Sequence, residues 1–174
     1  KASQPLRDVA RLMYYTGMRP GEVLALTADD VDFRSEVIIV RHGKTKSARR
    51  RNPFTRHAAH ILQRRCREAH NGLLFAGGKD GRGPVPMVKV NHAHFGALKR
   101  SQVEPFRLYD LRHAFATHAH AAGIDLETLR VLGGWANLAM LKRYVKPTLE
   151  HKRSEMQKLQ EYDRSGTKKN VLPF

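Results

Sequence analysis

The sequence is poor in several residue types that other classes of protein need. It has a single cysteine, Cys66, among 174 residues, which excludes an internal disulfide framework and a zinc site built from several thiolates. No apolar run is long enough to cross a bilayer as a helix, and no segment has the pattern of a signal peptide. We therefore expect neither a disulfide-stapled domain nor a membrane-spanning protein.

Acidic residues are scarce as well. The chain has 16 Asp and Glu against 32 Lys and Arg, a formal net charge of +16. Residues 37–67 contain no acid. They contain ten basic residues: Arg41, Lys44, Lys46, Arg49, Arg50, Arg51, Arg56, Arg64, Arg65 and Arg67. Because so basic a face repels itself unless a polyanion neutralises it, nucleic acid is the favoured partner, and an anionic membrane surface is the weaker alternative.

Hydrophobic residues make up 41% of the chain, which is enough for a packed core and too much for wholesale disorder. Their spacing predicts a mainly α fold with a small antiparallel β-sheet, an α+β domain. We expect helices over residues 5–15, from 20 onward, over 55–69, 88–100, 107–122 and 125–132, directly after 137, and over 149–162. We expect strands over 37–40 and 49–52, and a loop over 72–86.

Five positions carry side chains that suit chemistry on a phosphodiester: Arg19, Lys44, Arg112, Trp135 and Tyr144. Guanidinium groups are always charged and bind phosphate with two hydrogen bonds, a tyrosine can attack phosphorus, and a lysine can protonate a leaving oxygen. Each position alone also fits an ordinary structural role, such as a helix-end ion pair or a place in the core. The order of all five along the chain is the specific signal.

Three segments in that order resemble the sequence boxes of the tyrosine recombinases, the family of phage integrases, Xer resolvases and Cre recombinase. Residues 15–22, Tyr-Thr-Gly-Met-Arg-Pro-Gly-Glu, resemble the first arginine box. Residues 110–117, Asp-Leu-Arg-His-Ala-Phe-Ala-Thr, resemble the second. Residues 132–144, from Leu-Gly-Gly-Trp to the tyrosine, resemble the third box and the nucleophile. The resemblance extends from about Leu6 to about Thr148.

The resemblance implies a role for each matching residue. The catalytic residues would be Arg19, Lys44, Tyr109, Arg112, Trp135 and Tyr144, with Glu22 and His113 in support. Arg19 and Arg112 would bind the scissile phosphate, Tyr144 would attack it, and Lys44, or less plausibly Lys46, would protonate the departing oxygen. We expect DNA contacts from basic residues of the predicted hairpin: Arg41, Lys46, Arg49, Arg50 and Arg51.

Two positions depart from the usual family pattern. The second box usually reads His-x-x-Arg, whereas residues 109–112 read Tyr-Asp-Leu-Arg. A neutral phenol, with a reference pKa near ~10, can donate a hydrogen bond to a phosphate oxygen but is a poor base. Tyr109 therefore predicts lower activity or activity at higher pH. Trp135 replaces the histidine that most members have, as it does in Cre-like members.

The resemblance implies a site-specific recombinase that cuts and rejoins double-stranded DNA as a homotetramer. It would integrate or excise a phage or another mobile element, on the nucleoid in a bacterial cytoplasm. No cofactor, metal, membrane or small-molecule substrate is expected. A type IB topoisomerase-like activity and a non-catalytic DNA-binding relic, suggested by Tyr109 and Trp135, remain alternatives.

We expect residues 1–162 to form the catalytic domain and residues 163–174 to form a C-terminal tail. The tail ends in an apolar cluster, Val-Leu-Pro-Phe, which would either dock on a neighbouring subunit or fray. Because the sequence begins at Lys1 without a methionine, we expect a fragment that lacks the family's N-terminal DNA-binding domain.

Overall fold

The structure is a computed structural model that describes residues 3–41, 49–77, 85–142 and 149–164. Several predicted features lie outside these ranges: Lys44, Lys46, Tyr144 and residues 165–174 of the tail. The helices are α1 (Gln4–Thr16), α2 (Pro20–Leu24), α3 (Arg56–Arg67), α4 (Asn91–Ser101), α5 (Asp110–Ala121), α6 (Leu126–Gly133), α7 (Leu138–Lys142) and α8 (Leu149–Arg164). Among the described residues, no helix is long and apolar enough to cross a membrane.

Two small antiparallel sheets accompany the helices. Strands β1 (Val31–Asp32), β2 (Val37–Val40) and β3 (Arg50–Pro53) form the first sheet in that order. In its register Val40 pairs with Arg50 and Val37 pairs with Pro53. Strands β4 (Ala76–Gly77) and β5 (Val85–Pro86) form the second. The mainly α fold with a small antiparallel sheet is therefore confirmed.

The main core lies between α1, α2, α3 and the larger sheet. The helix α1 turns its apolar stripe inward, burying Leu6, Val9 and Met13, as the spacing of those residues predicts. A second, smaller core surrounds Trp135 and joins α5, α6 and α7 through Ala116, Leu129 and Leu141. The candidate active-site residues described below lie where these two cores meet.

Local capping chemistry fixes the ends of several elements. The Thr55 hydroxyl accepts a hydrogen bond from the Ala58 N–H at the start of α3, and the Asp125 carboxylate accepts one from Thr128 at the start of α6. Asn137 does the same for Met140 at the start of α7. These side-chain caps satisfy helix N–H groups that lack a carbonyl partner, so these starts are predictable from the sequence.

Other boundaries differ from the predictions. The fifth helix begins at Asp110 rather than at residue 107, because the Asp110 carboxylate accepts a hydrogen bond from the Arg107 backbone N–H and closes a turn before the helix. The strands β1, β4 and β5 were not expected, since two-residue strands carry no periodic signal. Helix α8 extends to Arg164, two residues past the expected domain boundary, and all its described side chains are exposed.

Candidate active site

A sharp turn between α1 and α2 places Arg19. Gly17 adopts φ +66 and donates its N–H to the Met13 carbonyl, which ends α1. A Cβ on Gly17 would lie 2.5 Å from the ring of Phe115, so both the backbone and the packing favour glycine there. The chain then turns into Pro20, with Arg19 at the N-cap of α2. The first arginine is thus held by backbone geometry next to a tightly packed glycine.

Glu22 holds Arg19 at both its main chain and its side chain. The Arg19 backbone N–H donates to one carboxylate oxygen at 3.0 Å, and Arg19 Nη1 donates to the other at 2.7 Å. Burial raises the pKa of Glu22, but the adjacent guanidinium of Arg50, together with Arg19, outweighs burial and leaves that pKa below its ordinary value. Glu22 is therefore ionised at neutral pH.

Arg50 is buried, which differs from its expected place on a DNA-contacting surface. Its side chain is 4% exposed. Nη2 donates to Glu22 at 2.9 Å, and Nε donates to the Leu132 carbonyl at 2.7 Å. The sequence did not indicate that Glu22 pairs with Arg50, because Glu22 lies 28 positions before it and outside the basic run. Arg50 faces the protein interior and joins β3 to α2 and α6.

Arg112 is fully buried on the first turn of α5. Its Nη1 donates to the carbonyl oxygens of Gly17 and Gly133, each at 2.5 Å. Nε and Nη2 are buried and have no hydrogen-bond partner among the described residues. Burial, and then the positive charge of Arg19, lower the pKa of Arg112 to about 10. This guanidinium is thus fixed in place, while three of its five N–H donors, those on Nε and Nη2, have no partner among the residues that the structure describes.

Trp135 forms one wall of the Arg112 site. The Arg112 guanidinium carbon lies 4.0 Å from the centre of the indole ring, a cation–π contact. Trp135 is 1% exposed and packs directly on Gly133, where a Cβ would lie 1.8 Å from the ring. The tryptophan is consequently both a core residue and a neighbour of the second arginine.

The C-terminal end of α6 brings three arginines together. Three successive carbonyl oxygens, those of Leu132, Gly133 and Gly134, accept hydrogen bonds from Arg50, Arg112 and Arg19 respectively. Gly134 adopts φ +67 and ends the helix, which leaves these carbonyls free of intrahelical partners. The partial negative charge of a helix C-terminus favours cations. With Glu22, the three guanidiniums form a cluster of formal charge +2.

Tyr109 and His113 lie beside this cluster. Tyr109 is 36% exposed, and its ring meets the His113 ring edge-to-face at 5.0 Å. Burial lowers the pKa of His113 below its ordinary value, so this imidazole is neutral at pH 7. Tyr109 precedes α5 as its N-cap residue instead of lying within the helix.

The basic surface is less uniform than the sequence suggests. The acid-free run 37–67 implies that no carboxylate compensates its basic side chains. For several of them this expectation is wrong: Asp8 pairs with Arg64 and Arg65, and Asp30 pairs with Arg41. These acids come from α1 and from the 3₁₀ turn before β1, outside the acid-free run. Arg49 and Arg51, by contrast, are exposed.

The described residues contain no group of three or more His, Cys, Asp or Glu side chains placed to hold a metal ion. The cluster that does form is cationic and suits an anion. Two of its three arginines, Arg19 and Arg112, are those that the sequence resemblance assigns to the scissile phosphate.

The chain belongs to the phage integrase family, whose model matches residues 1–151. It is 35% identical to tyrosine recombinase XerC of Bacillus subtilis (strain 168) over 158 residues, covering 82% of this chain and 50% of that protein. It is 26% identical to the integrase of Salmonella phage P22 over 153 residues, covering 83% of this chain and 40% of that protein. The chain thus spans half or less of the length of these relatives.

Solved structures share the fold. The Tn1549 transposon integrase in complex with circular intermediate DNA superposes with a TM-score of 0.73 at 24% identity, covering 90% of this chain and 60% of that one. The crystal structure of XerA recombinase gives a TM-score of 0.69 at 21% identity, covering 90% of this chain and 57% of that one. The family resemblance and the fold predicted from the sequence are both confirmed.

Proposed function

We propose that this chain is the catalytic domain of a site-specific recombinase. It cuts and rejoins double-stranded DNA through a covalent 3′-phosphotyrosine link, in the integration or excision of a phage or another mobile element. The family supports recombination chemistry, and the DNA held by the structurally similar Tn1549 integrase supports DNA as the substrate. A homotetramer on DNA, located on the nucleoid, completes the proposal, with residues 1–162 as the catalytic domain and residues 163–174 as the C-terminal tail.

The state of Arg112 is the observation that carries the proposal. A buried cation is costly unless an anion or a full set of hydrogen bonds compensates it. Within the described part of the chain, Nη1 of Arg112 has two carbonyl partners and the guanidinium stacks on an aromatic ring, but Nε and Nη2 have no hydrogen-bond partner. A phosphodiester supplies both the missing charge and two acceptor oxygens. Because Arg112 is buried without DNA, neighbouring groups must move aside when the phosphate binds.

Arg19 suits the second contact with the same phosphate. Its side chain is 30% exposed, and Nη1 and Nη2 are held by Glu22 and by the Gly134 carbonyl. Arg112 is hydrogen-bonded to the adjacent Gly133 carbonyl, so one helix end sets the spacing of the two guanidiniums. Charge that builds on the non-bridging oxygens during attack would be stabilised by two preorganised cations.

The covalent steps are assigned to residues outside the described ranges. The phenolic oxygen of Tyr144 attacks phosphorus and loses its proton to solvent, the bond to the 5′ oxygen breaks, and Lys44 gives that oxygen a proton. The phosphotyrosine conserves the bond for rejoining, when the 5′ hydroxyl attacks and Tyr144 leaves. Tyr109 donates a hydrogen bond to a phosphate oxygen but accepts the phenolic proton poorly, so we expect cleavage to be faster at higher pH.

Nicked suicide DNA tests the proposal, because loss of the short strand next to the nick traps the covalent complex. We expect a protein–DNA adduct that resists denaturing electrophoresis and forms in excess EDTA. A DNA-binding relic would bind the same DNA without an adduct. Relaxation of supercoiled plasmid that lacks a target site, with no recombination between two sites, would instead indicate a topoisomerase.

A further inference from the structure

We propose that Arg50 is a positioning residue for the arginine pair: it holds Glu22 and the end of α6 so that Arg19 keeps a charge available to the phosphate. The inference rests on the proposed function, because it concerns the same site. Arg50 is expected to act through Glu22 and Leu132, with no contact to DNA.

The hydrogen bonds of Arg50 argue against direct contact with DNA, because its Nε, Nη1 and Nη2 all donate to protein oxygens, unlike the nitrogens of Arg112. Its side chain is 4% exposed, as is that of Glu22. Its guanidinium reaches both oxygens of Glu22, at 2.9 Å and 3.4 Å, and the Leu132 carbonyl at 2.7 Å. Lysine could replace the charge, but a single ammonium group cannot reproduce this planar set of contacts.

Arg19 and Arg50 compete for the negative charge of Glu22. Arg19 and Arg50 each donate to both oxygens of this one carboxylate. The three side chains together carry a formal charge of +1. Without Arg50, Glu22 would neutralise Arg19. The ion pair of Arg19 and Glu22 would then present no net charge to a phosphate. Arg50 therefore preserves the cationic character of Arg19.

The end of α6 also fixes the geometry of the arginines through the carbonyl oxygens of Leu132, Gly133 and Gly134. Arg50, Arg112 and Arg19 are hydrogen-bonded to three successive carbonyls, so a shift of this helix end moves the anchors of both phosphate-binding arginines. Arg50 also begins β3 and pairs with Val40 in the sheet. It therefore connects the sheet to α6. A misplacement of about 1 Å at such a site can reduce a rate by ~10²-fold.

The test compares two buried ion pairs. Arg50→Met removes the proposed positioning contact. Arg65→Met is the matched control, since Arg65 of α3 makes a similar buried contact with Asp8 of α1 at 2.7 Å and, among the described residues, no hydrogen bond to the cluster. At saturating suicide DNA we expect Arg50→Met to slow adduct formation by about 10–100-fold with little loss of DNA affinity. Arg65→Met should cleave at nearly the wild-type rate, and Arg50→Lys should recover part of the loss.

A double variant separates positioning from plain loss of structure. Adding Glu22→Gln to Arg50→Met removes the uncompensated carboxylate, so we expect cleavage to recover in part. A further fall would overturn the charge argument, and equal slowing by Arg50→Met and Arg65→Met would overturn the positioning role. A loss of DNA affinity as large as the loss of rate would instead make Arg50 a docking residue.

Side-chain NMR provides a measurement that does not need activity. The Nε–Hε resonances of Arg19 and Arg112 should move in Arg50→Met and stay in place in Arg65→Met. If the wild-type protein forms no adduct, the proposed function fails, while these resonances still decide whether Arg50 positions the pair. Unmoved resonances in Arg50→Met would overturn the inference.

Discussion

Replacing Gly133 with alanine perturbs the contact between α6 and Trp135 with a single methyl group. The added Cβ would lie 1.8 Å from one indole carbon and 2.2 Å from another. A normal carbon–carbon contact is about 3.5–4.0 Å, so the ring must move by about 2 Å. Trp135 is 1% exposed and fills the smaller core, which leaves no room for that movement. We therefore expect Gly133→Ala to destabilise the fold.

The magnitude is best measured against a second glycine variant. Gly21 lies in α2, and a Cβ built there has nothing within 4 Å. Both substitutions gain helix propensity, up to about 1 kcal/mol, whereas only Gly133→Ala adds an overpacking cost of about 1–3 kcal/mol. At about 2–4 °C per kcal/mol for a domain of this size, its Tm should lie about 2–12 °C below that of Gly21→Ala.

Thermal unfolding of the two variants, followed by circular dichroism, provides the measurement. Cleavage of suicide DNA below both melting temperatures should also be slower in Gly133→Ala, because the displaced indole lies 4.0 Å from the Arg112 guanidinium. Equal Tm values and equal cleavage rates would refute the packing argument and the link between Trp135 and Arg112.

Three further predictions concern the site. Arg19→Ala or Arg112→Ala should slow cleavage by about 10²–10³-fold and weaken DNA binding much less; equal losses would make them ordinary docking residues. Lys44→Ala should be slow on normal DNA and largely rescued when sulfur replaces the bridging 5′ oxygen; rescue of Lys46→Ala instead would reassign the general acid. The pKa of Glu22 is lower folded than unfolded, so its stabilising effect is present above pH 4.5 and is lost as pH falls below it. In urea titrations Glu22→Gln should therefore have a lower free energy of unfolding than wild type at pH 7, and this difference should become smaller below pH 4.5. A difference that does not change with pH would show that the pKa of Glu22 is not lowered by folding.

Local sequence signals predicted much of this fold. The apolar stripe of α1, the β-branched strand β2 and the caps Thr55 and Asp125 each act within a few residues of their own position, so the sequence shows them directly. Gly17 and Gly134 likewise mark helix ends, because both adopt the left-handed conformation. The motif order also led to the correct family.

Long-range partners could not be predicted in this way. Arg50 was expected at a DNA surface, but Glu22 and Leu132 hold it in the interior from 28 and 82 positions away. Asp8 forms ion pairs with two arginines of the basic run, Arg64 and Arg65, from 56 and 57 positions earlier in the chain. Charge patterning in sequence reports composition along the chain, whereas pairing depends on which elements pack together. The three carbonyl oxygens at the end of α6 belong to the backbone. No side-chain pattern in the sequence therefore predicts that they bind the three arginines.

Mapping the DNA-linked peptide tests the central proposal most directly. Suicide DNA is incubated with the protein in excess EDTA, the adduct is digested with protease and nuclease, and the modified peptide is sequenced by mass spectrometry. We expect the nucleotide remnant on Tyr144, and we expect no adduct from Tyr144→Phe. A link to Tyr14, Tyr15, Tyr109 or Tyr162, or cleavage that requires a divalent metal and leaves no adduct, would contradict the account.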